Sequence, residues 1–381
     1  MPVPKRRRLA AIFLGLAAVL IVSLSGLLSP RPAPRYTVTD LGVLPGYASS
    51  RGNAVNNRGE VAGSATLTGS GDERAFLFQG GRLTSLGVLP GGSGSTARAI
   101  NSQGDVTGVA SLPTGNHAFL YSQGKMQDLG TLPGFHDSAG AGINDRGEVV
   151  GTAATSPVQP GFPHEHAFLY SQGRMTDLGT PPGCSESQAT SINAAGQIVG
   201  DGLPAPGGID RPRPFFYDSR TMTMLPVPPR DRGGWAFHTN DNGQTIGTVW
   251  TPNNRYHVVL WAGGRMNDLG AAPGFASSIG AGLNNRGEAI GYSFEDSSTQ
   301  AVKAFLRDHA SAHNPLRRYL NRDTEHAFMY RGGKIQDLNA LIPRDSDWTL
   351  ESARGINDRG QIVGQGQHHG QERAFLLTPV R

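Results

Sequence analysis

Cysteine and charge are both scarce in this sequence. Cys184 is the single cysteine, so no disulfide can form within the chain. Charged residues make up only 17% of the 381 residues, whereas glycine (53) and proline (26) are abundant. This balance argues against a helical domain and favours many short strands joined by tight turns. Such strands must be held together by packing rather than by cross-links.

Familiar catalytic motifs are missing as well. The sequence has no Gly-x-Ser-x-Gly elbow, no His-Glu-x-x-His zinc motif and no phosphate-binding glycine-rich loop that leads into a helix. Its recurring acids appear once per repeat, whereas a glycosidase needs one unique pair. We therefore predict no catalytic residue, no metal site and no cofactor, although some enzymes do have propeller folds.

The main positive feature is a block of roughly 45 residues that repeats seven times. Each block holds four short runs rich in β-branched and aromatic residues, bounded by Gly, Asn and Pro. This pattern predicts an all-β fold, a seven-bladed β-propeller of four-stranded antiparallel blades. Each block also contains an Asn-x-x-Gly turn, in which we expect the Gly to be left-handed. The turns open at Asn56, Asn101, Asn144, Asn193, Asn240, Asn284 and Asn357.

The two ends of the repeated region predict how the ring closes. The last block stops after its third strand, at residues 373–377, and a matching fourth strand lies at residues 36–42. Pairing between these two strands would leave no open sheet edge at the junction. The predicted propeller therefore covers residues 36–381 and is closed by its N-terminal strand.

The first 35 residues lie outside the repeats. The basic cluster 5–8 precedes the uncharged stretch 9–28, and a Pro-rich linker follows at 29–35. Twenty uncharged residues are long enough for a hydrophobic helix that spans a membrane, and the basic cluster would stay in the cytoplasm. We predict an uncleaved signal anchor over 1–28, with a cleaved signal peptide as the alternative. Either one exports the propeller to the periplasm or the cell exterior.

The basic character of the chain comes largely from this leader. Without the first 35 residues, 28 basic residues face 30 acidic ones. The predicted propeller is therefore not a basic surface, and nucleic-acid binding is not expected.

A basic residue at one position of each block is followed, eleven residues later, by an acid in most blocks. With a two-residue loop we expect each pair to be direct cross-strand neighbours, whereas a bulged loop would shift the pairing by one. We interpret the pairs as structural ties, because one His per blade around a ring does not converge on a metal; a ligand or metal site is the alternative. The pairs are His117 with Asp128, His166 with Asp177, His257 with Asp268, His326 with Asp337, and Arg373 with Asp40.

Two short motifs recur in the repeat. The His-Ala-Phe triplets stand at 117–119, 166–168 and 326–328, and Asp-Leu-Gly stands at 40–42, 128–130, 177–179 and 268–270. Blade four departs from the pattern with Arg-Pro-Phe at 213–215, and blade five with His-Val-Val at 257–259. These motifs resemble those of the HAF repeat family. The resemblance covers essentially all of 36–381, and it implies export and a propeller-like repeat fold but no catalytic residues.

The fifth block carries large side chains where other blocks have small ones. Trp235, Phe237 and His238 precede its turn, and Trp250 and Trp261 follow. Aromatic side chains at a propeller mouth can stack on sugar rings, so these five residues form the candidate ligand site. The alternative is that they only fill gaps within a blade. The sixth block has a long insertion, over about 295–322, which suits partner contact or hides a degenerate eighth blade.

These features predict a non-catalytic exported module that binds a protein or a glycan and contacts the membrane through residues 9–28. The alternative is an extracellular polysaccharide hydrolase or lyase with its site at the propeller mouth. A unique cluster of buried carboxylates at one end of the channel would favour the enzyme, and a channel filled by small side chains would favour the binding module.

Overall fold

The computed structural model describes residues 35–155, 164–204, 211–228, 233–295 and 325–380. Residues from Arg35 onward belong to one compact unit. The predicted hydrophobic helix at 9–28 and nearly all of the predicted insertion at 295–322 lie outside the described residues. Within the described part of the chain, no helix is long and apolar enough to cross a membrane.

The described residues form seven four-stranded antiparallel sheets, so the prediction of an all-β, seven-bladed propeller is confirmed. Blades one to four contain β2 (Tyr47–Val55), β3 (Val61–Leu67), β4 (Glu73–Gln79), β5 (Arg82–Ser85), β6 (Gly94–Ile100), β7 (Val106–Leu112), β8 (Gly115–Ser122), β9 (Lys125–Asp128), β10 (Asp137–Ile143), β11 (Val149–Ala154), β12 (Glu165–Ser171), β13 (Arg174–Asp177), β14 (Cys184–Ile192), β15 (Ile198–Pro204), β16 (Arg213–Tyr217) and β17 (Met222–Met224).

The remaining blades follow the same order, and their only helix among the described residues is a 3-10 turn at Leu338–Ala340. Blades five to seven contain β18 (Gly234–Thr239), β19 (Thr245–Trp250), β20 (Tyr256–Ala262), β21 (Arg265–Gly270), β22 (Ser277–Leu283), β23 (Ala289–Phe294), β24 (His326–Arg331), β25 (Lys334–Asp337), β26 (Trp348–Ile356), β27 (Ile362–His368), β28 (Gln371–Pro379) and, as the outer strand of blade seven, β1 (Tyr36–Asp40).

Blade seven combines the two ends of the described chain. Strand β1 pairs antiparallel with β28, with Val38 opposite Leu377 and Asp40 opposite Phe375. Tyr36, at the start of β1, is buried in the hydrophobic cluster between blades six and seven. The outer strand of this blade is therefore anchored by side-chain packing as well as by its backbone pairing.

The Asn-x-x-Gly turns have the same geometry in every blade. In blade one, the buried Asn56 accepts hydrogen bonds through Oδ1 from the backbone N–H groups of Arg58 (3.0 Å) and Glu60 (3.1 Å). Gly59 has a φ of +83°, a left-handed conformation that costs glycine little. The inner hairpin of each blade is thus fixed by residues that are adjacent in sequence.

A second contact of the same asparagines links the blades into a ring. Each turn Asn donates from Nδ2 to the backbone oxygen of the turn Asn in the next blade, at 2.8–3.3 Å. The seventh bond runs from Asn357 to Asn56 and completes the circle. We call this set of seven residues the asparagine ring.

Serines near the start of five inner strands form a further link between blades. Ser138 of blade three accepts from the N–H of Ala118 (2.8 Å) and donates to the carbonyl of Gly130 (2.5 Å), both in blade two. The backbone of two repeated residues therefore contacts the next blade: the Ala of the His-Ala-Phe triplet and the Gly of Asp-Leu-Gly. The equivalent serines are Ser50, Ser95, Ser187 and Ser278.

The hydrophobic core lies between the blades. Seven buried clusters each join two neighbouring sheets; one, for example, contains Leu86 of blade one and Phe119 of blade two. The inner strands need small residues because they approach one another closely. A Cβ added to Gly355 would lie only 2.9 Å from the Cα of Ala54 in the next blade.

Candidate functional site

The predicted His–Asp pairs all form contacts within their blades. Nδ1 of the histidine lies 2.7–2.9 Å from the carboxylate in the pairs of blades two, three, five and six. Three of these carboxylates also accept the N–H of the glycine two residues later. In blade six, burial alone would raise the pKa of Asp337, but the hydrogen bond and charge of His326 outweigh it and lower that pKa.

The register differs from our expectation. The loop at residues 123–124 has two residues, yet Asp128 stands opposite Phe119, and His117 lies one diagonal step away. The predicted direct cross-strand pairing is therefore wrong. The diagonal arrangement is possible because the imidazole is long enough to reach a carboxylate two positions along the strand.

The predicted pair of Arg373 with Asp40 is also wrong. Asp40 instead lies 2.9 Å from Nδ1 of His368, whose ring stacks on Trp348 at a centroid distance of 4.6 Å. Arg373 donates to the backbone oxygen of Ala48 in the neighbouring blade at 3.0 Å. A stacked histidine at the end of β27 thus takes the place that the repeat pattern assigns to the arginine.

Functional candidates lie along the axis, where the inner strands of the blades line three cavities that share residues. One cavity lies at the face that carries the Asn-x-x-Gly turns, which we call the turn mouth. A second cavity of about 210 Å³ lies deeper, and a third of about 570 Å³ opens at the other end. We call the third cavity the arginine mouth, because Arg51, Arg98 and Arg354 line it.

The turn mouth carries acids, but their oxygens are engaged with the backbone. Asp241 accepts the N–H of Ala194 at 2.9 Å, and Asp358 accepts the N–H of Asn285 at 2.8 Å. Asp145 makes the same contact with Ser102. These carboxylates are exposed or half-buried and form a rim of hydrogen bonds above the asparagine ring.

An apolar collar separates the turn mouth from the deeper cavity, and His238 lies beside it. Nδ1 of His238 is buried, and no group among the described residues forms a hydrogen bond with it. Burial lowers the pKa of His238 to about 4, although the charge of Asp241 opposes the change. The collar residues are Val55, Ile100, Ile143, Ile192, Leu283 and Ile356.

Two arginines at the arginine mouth have few partners. Arg98 makes no ion pair or hydrogen bond with the described residues, and Arg354 donates only to Gln365, at 3.3 Å. Both keep exposed surface in the channel, yet the surrounding protein desolvates them and lowers the pKa of both guanidinium groups. For Arg354, the nearby charge of Arg51 adds to this effect, whereas the charges of Glu325 and Glu372 oppose it. Arg51 itself is paired with Glu73.

The bulge in each inner strand explains why these side chains face the channel. The pairing register shifts by one residue between Ala97 and Ala99, and again between Ala353 and Gly355. Arg98 and Arg354 are the residues within these two bulges. The same position holds Phe237 in blade five, which also lines the arginine mouth.

The five predicted ligand residues of blade five divide into three groups. Phe237 and His238 line the channel. Trp235 and Trp250 pack against each other, with ring centroids 4.5 Å apart, in a half-buried cluster that includes Tyr256. The cluster supports the wall of the blade, so the gap-filling interpretation describes these two tryptophans better.

Trp261 is not available to a ligand in the channel, and its assignment to the site was wrong. The residue is only 2% exposed, and its Nε1 donates to the carbonyl of Pro226 at 2.7 Å. A Cβ on Gly247 would lie 2.6 Å from its ring, just as one on Gly63 would lie 2.4 Å from Phe76 in blade one. Trp261 therefore replaces the core ring that blade five lacks in its His-Val-Val triplet.

Acids with altered pKa also occur outside the channel, in blade four. Burial raises the pKa of Asp201 to about 7, and the charge of Glu165 adds to the rise. Burial raises the pKa of Glu186 too, again with a contribution from Glu165. No group of three His, Cys, Asp or Glu residues in the described ranges is arranged to hold a metal ion.

Sequence comparison corrects the family resemblance. The sequence model of a family described as "Protein of unknown function (DUF3466)" matches residues 180–376, and the HAF repeat family is not supported. The triplet is not specific to that family, because each of its residues has a structural role in the blade. The His contacts the Asp, the backbone of the Ala bonds to the serine of the next blade, and the Phe packs in the core. No curated protein matches the sequence.

Solved structures with similar folds are distant in sequence. A puromycin-hydrolyzing peptidase from Mycobacterium tuberculosis has a TM-score of 0.55 and 12% identity, over 92% of this chain and 55% of the peptidase. The β-propeller domain of the Trilobed protease from Pyrococcus furiosus has a TM-score of 0.49 and 11% identity, over 76% and 84% of the two chains. TolB from Acinetobacter baumannii has a TM-score of 0.40 and 11% identity, over 88% and 65%. At 12% identity, the likeness to the peptidase shows the fold alone.

Proposed function

Because this chain belongs to the DUF3466 family of proteins of unknown function, we propose a role from its own geometry: a non-catalytic binding module that takes an anionic ligand at the arginine mouth. The ligand is a protein or a glycan that carries an acidic group.

The proposal rests on Arg98, which lines this cavity and makes no ion pair or hydrogen bond with the described residues. A guanidinium group has five N–H donors, no acceptor and a permanent charge. Arg98 is partly desolvated in the channel without an acidic partner among the described residues. Arg98 is exposed to the channel, so its N–H donors are available to an anion, and Arg354 in the same cavity adds a second positive charge.

A non-catalytic role is supported by the use of the repeated polar groups. The His–Asp pairs and the asparagine ring are committed to contacts within and between blades, for example His166 with Asp177 at 2.8 Å. The position that differs most between blades is the bulge residue that faces the channel. In two blades this residue is an arginine. Arginine is suited to binding anions rather than to proton transfer.

We propose that the propeller acts outside the cytoplasm, in the periplasm or at the cell exterior. The support is the sequence of the leader, with an uncharged stretch at 9–28 after a basic cluster at 5–8. Cell fractionation combined with N-terminal sequencing tests this. Recovery in the membrane fraction with an intact N-terminus fits an anchor, and recovery in the cytoplasm contradicts export.

The binding proposal is tested by isothermal titration calorimetry of the full chain. The probes are hexuronate oligosaccharides, neutral oligosaccharides, an acidic peptide and inorganic phosphate at constant ionic strength. At least one acidic probe should bind, and Arg98→Gln should weaken it about tenfold or more, as expected for a charge-assisted contact. Arg82→Gln, at an exposed site on the outer strand β5, is the matched control. If no acidic probe binds the folded protein, the proposal fails.

The alternative is a polysaccharide hydrolase or lyase at the same mouth. One observation favours it: Tyr292 and Glu73, both able to take part in acid–base chemistry, line the cavity beside the arginines. Incubation with acidic polysaccharides tests it, through the release of new reducing ends or an unsaturated product. Product formation that is lost in Tyr292→Phe would establish the enzyme.

A further inference from the structure

We propose that the ligand at the arginine mouth is an acidic carbohydrate, with a uronate carboxylate between Arg98 and Arg354 and the sugar ring against Phe237. This inference rests on the proposed binding function and specifies its ligand class. Three observations support it: the positions of the side chains around the ring, the balance of charge, and the polarity of the walls.

The bulge position of the inner strand places the key side chains around one cavity. Blades seven, one and two are neighbours, and they contribute Arg354, Asn53 and Arg98 from this position. Phe237 comes from the same position in blade five, on the other side of the ring. A ligand in the cavity therefore meets positive charge on one side and an aromatic ring on the other.

Among the residues that line this cavity, three arginines face one acid. Glu73 is the acid that lines this cavity, and it already pairs with Arg51 and accepts from Thr96 Oγ1 at 2.5 Å. Arg98 has no carboxylate partner among the described residues, and Arg354 has the charges of Glu325 and Glu372 nearby but forms no ion pair with them. A planar carboxylate suits two guanidinium groups, because one can donate two parallel N–H groups to it and the other can donate to the remaining lone pairs of its oxygens.

The other walls suit a sugar ring. Phe237, Tyr292 and Ile279 provide an apolar surface of the kind on which the C–H face of a pyranose packs. Asn53 donates to the carbonyl of Ala97 at 2.7 Å and Thr96 donates to Glu73, so these side chains offer ring hydroxyl groups their acceptor oxygens. The volume of about 570 Å³ accepts one or two sugar residues, so we expect recognition of a short segment or the end of an acidic chain.

The test is calorimetry of the full chain with trigalacturonate, the uncharged trisaccharide of the same linkage, an acidic peptide and inorganic phosphate. Trigalacturonate should bind and the uncharged sugar should not. Arg98→Gln and Arg354→Gln should each weaken trigalacturonate binding about tenfold or more, and Arg82→Gln should not change it. Circular dichroism of each variant confirms that the fold is intact.

A second variant separates a sugar from a simple anion. Phe237→Leu should weaken trigalacturonate binding several-fold while leaving any phosphate binding unchanged, since phosphate has no ring to stack. If only phosphate or an acidic peptide binds in a manner that depends on Arg98, the carbohydrate inference is overturned and the binding function stands. If trigalacturonate binds equally to the wild type and both arginine variants, the site itself is wrong. If no acidic probe binds, both proposals fail.

Discussion

The side chain of Asn357 donates a 2.8 Å hydrogen bond to the backbone oxygen of Asn56, a residue 301 positions earlier in the chain. This bond is the one link of the asparagine ring that joins the last blade to the first. Both residues are buried, so an unmade bond here would leave a polar group without a partner.

Asn357→Ala should therefore destabilise the protein by about 2–4 kcal/mol, because it removes a donor and an acceptor that serve several buried groups. Besides Asn56, the side chain contacts the backbone N–H groups of Arg359 and Gln361 at 3.0 Å. Urea unfolding measures the loss. Asn116→Ala, at an exposed asparagine, should change stability by less than about 0.5 kcal/mol.

Asn357→Asp separates the ring from the local turn. The carboxylate still accepts from the two N–H groups but cannot donate to Asn56, so it should lose about 1–2 kcal/mol through the ring bond and the buried charge. If Asn357→Asp were as stable as the wild type, the bond between the first and last blades would contribute nothing to stability.

Tyr36 tests the contribution of β1 to blade seven. Its side chain is 1% exposed and packs among residues of blades six and seven, with its hydroxyl 3.2 Å from Sδ of Met329. Tyr36→Ala should cost about 3–5 kcal/mol, as for other buried aromatic side chains. Thr37→Ala, one residue further on an exposed part of the same strand, is the control. Equal unfolding midpoints for the two variants would show that β1 is not part of the cooperative unit.

The architecture could be predicted from the sequence because its determinants are local and repeat. A turn such as 240–243 is specified by the Asn side chain and a left-handed Gly, and both are visible in the sequence. The strands between turns then follow from their composition. The His–Asp contacts were also visible, although their diagonal register depended on side-chain length.

The channel could not be predicted because the bulge is not visible in the pattern. Simple alternation would place Arg98 on the opposite face of its strand from Ala97 and Ala99, with no indication that this face lines a cavity. One signal was available: the bulge position varies between blades, with Arg, Asn, Phe, Thr or Ala, while its neighbours are almost always small. The prediction for Trp261 was wrong because the sequence shows a large aromatic side chain but not whether that side chain lies in the core or is exposed.

Asp201 should make stability decrease as the pH rises from about 4 to 7. Its carboxyl loses its proton near pH 4 in the unfolded chain but keeps it to about pH 7 in the folded protein. The folded state thus binds more protons in this window, and raising the pH favours unfolding. Asp201→Asn, which mimics the neutral acid, should be more stable than the wild type by about 2–4 kcal/mol at pH 8.

The measurement for Asp201 is the unfolding free energy of both proteins at several pH values. Their difference should grow from near zero at pH 4 to its full value above pH 7. Asp72→Asn, at an exposed carboxyl, serves as the control for a change of charge alone. A difference that does not depend on pH would show that Asp201 is ionised in the folded protein at ordinary pH.

His238 should have the opposite dependence. Because burial lowers the pKa of His238 to about 4, the unfolded chain takes up the proton first as the pH falls from about 6.5 to 4. The wild type should therefore lose about 1–3 kcal/mol over this range relative to His238→Ala, a modest figure because the side chain is only half-buried. Alanine is compatible with the site, since Ala54 and Ala99 occupy it in blades one and two.

His136→Ala, at an exposed histidine, controls for the loss of an ordinary imidazole. Parallel stability curves for the wild type and His238→Ala between pH 4 and 7 would mean that the imidazole is protonated in the channel, and that a proton can reach Nδ1 beside the collar.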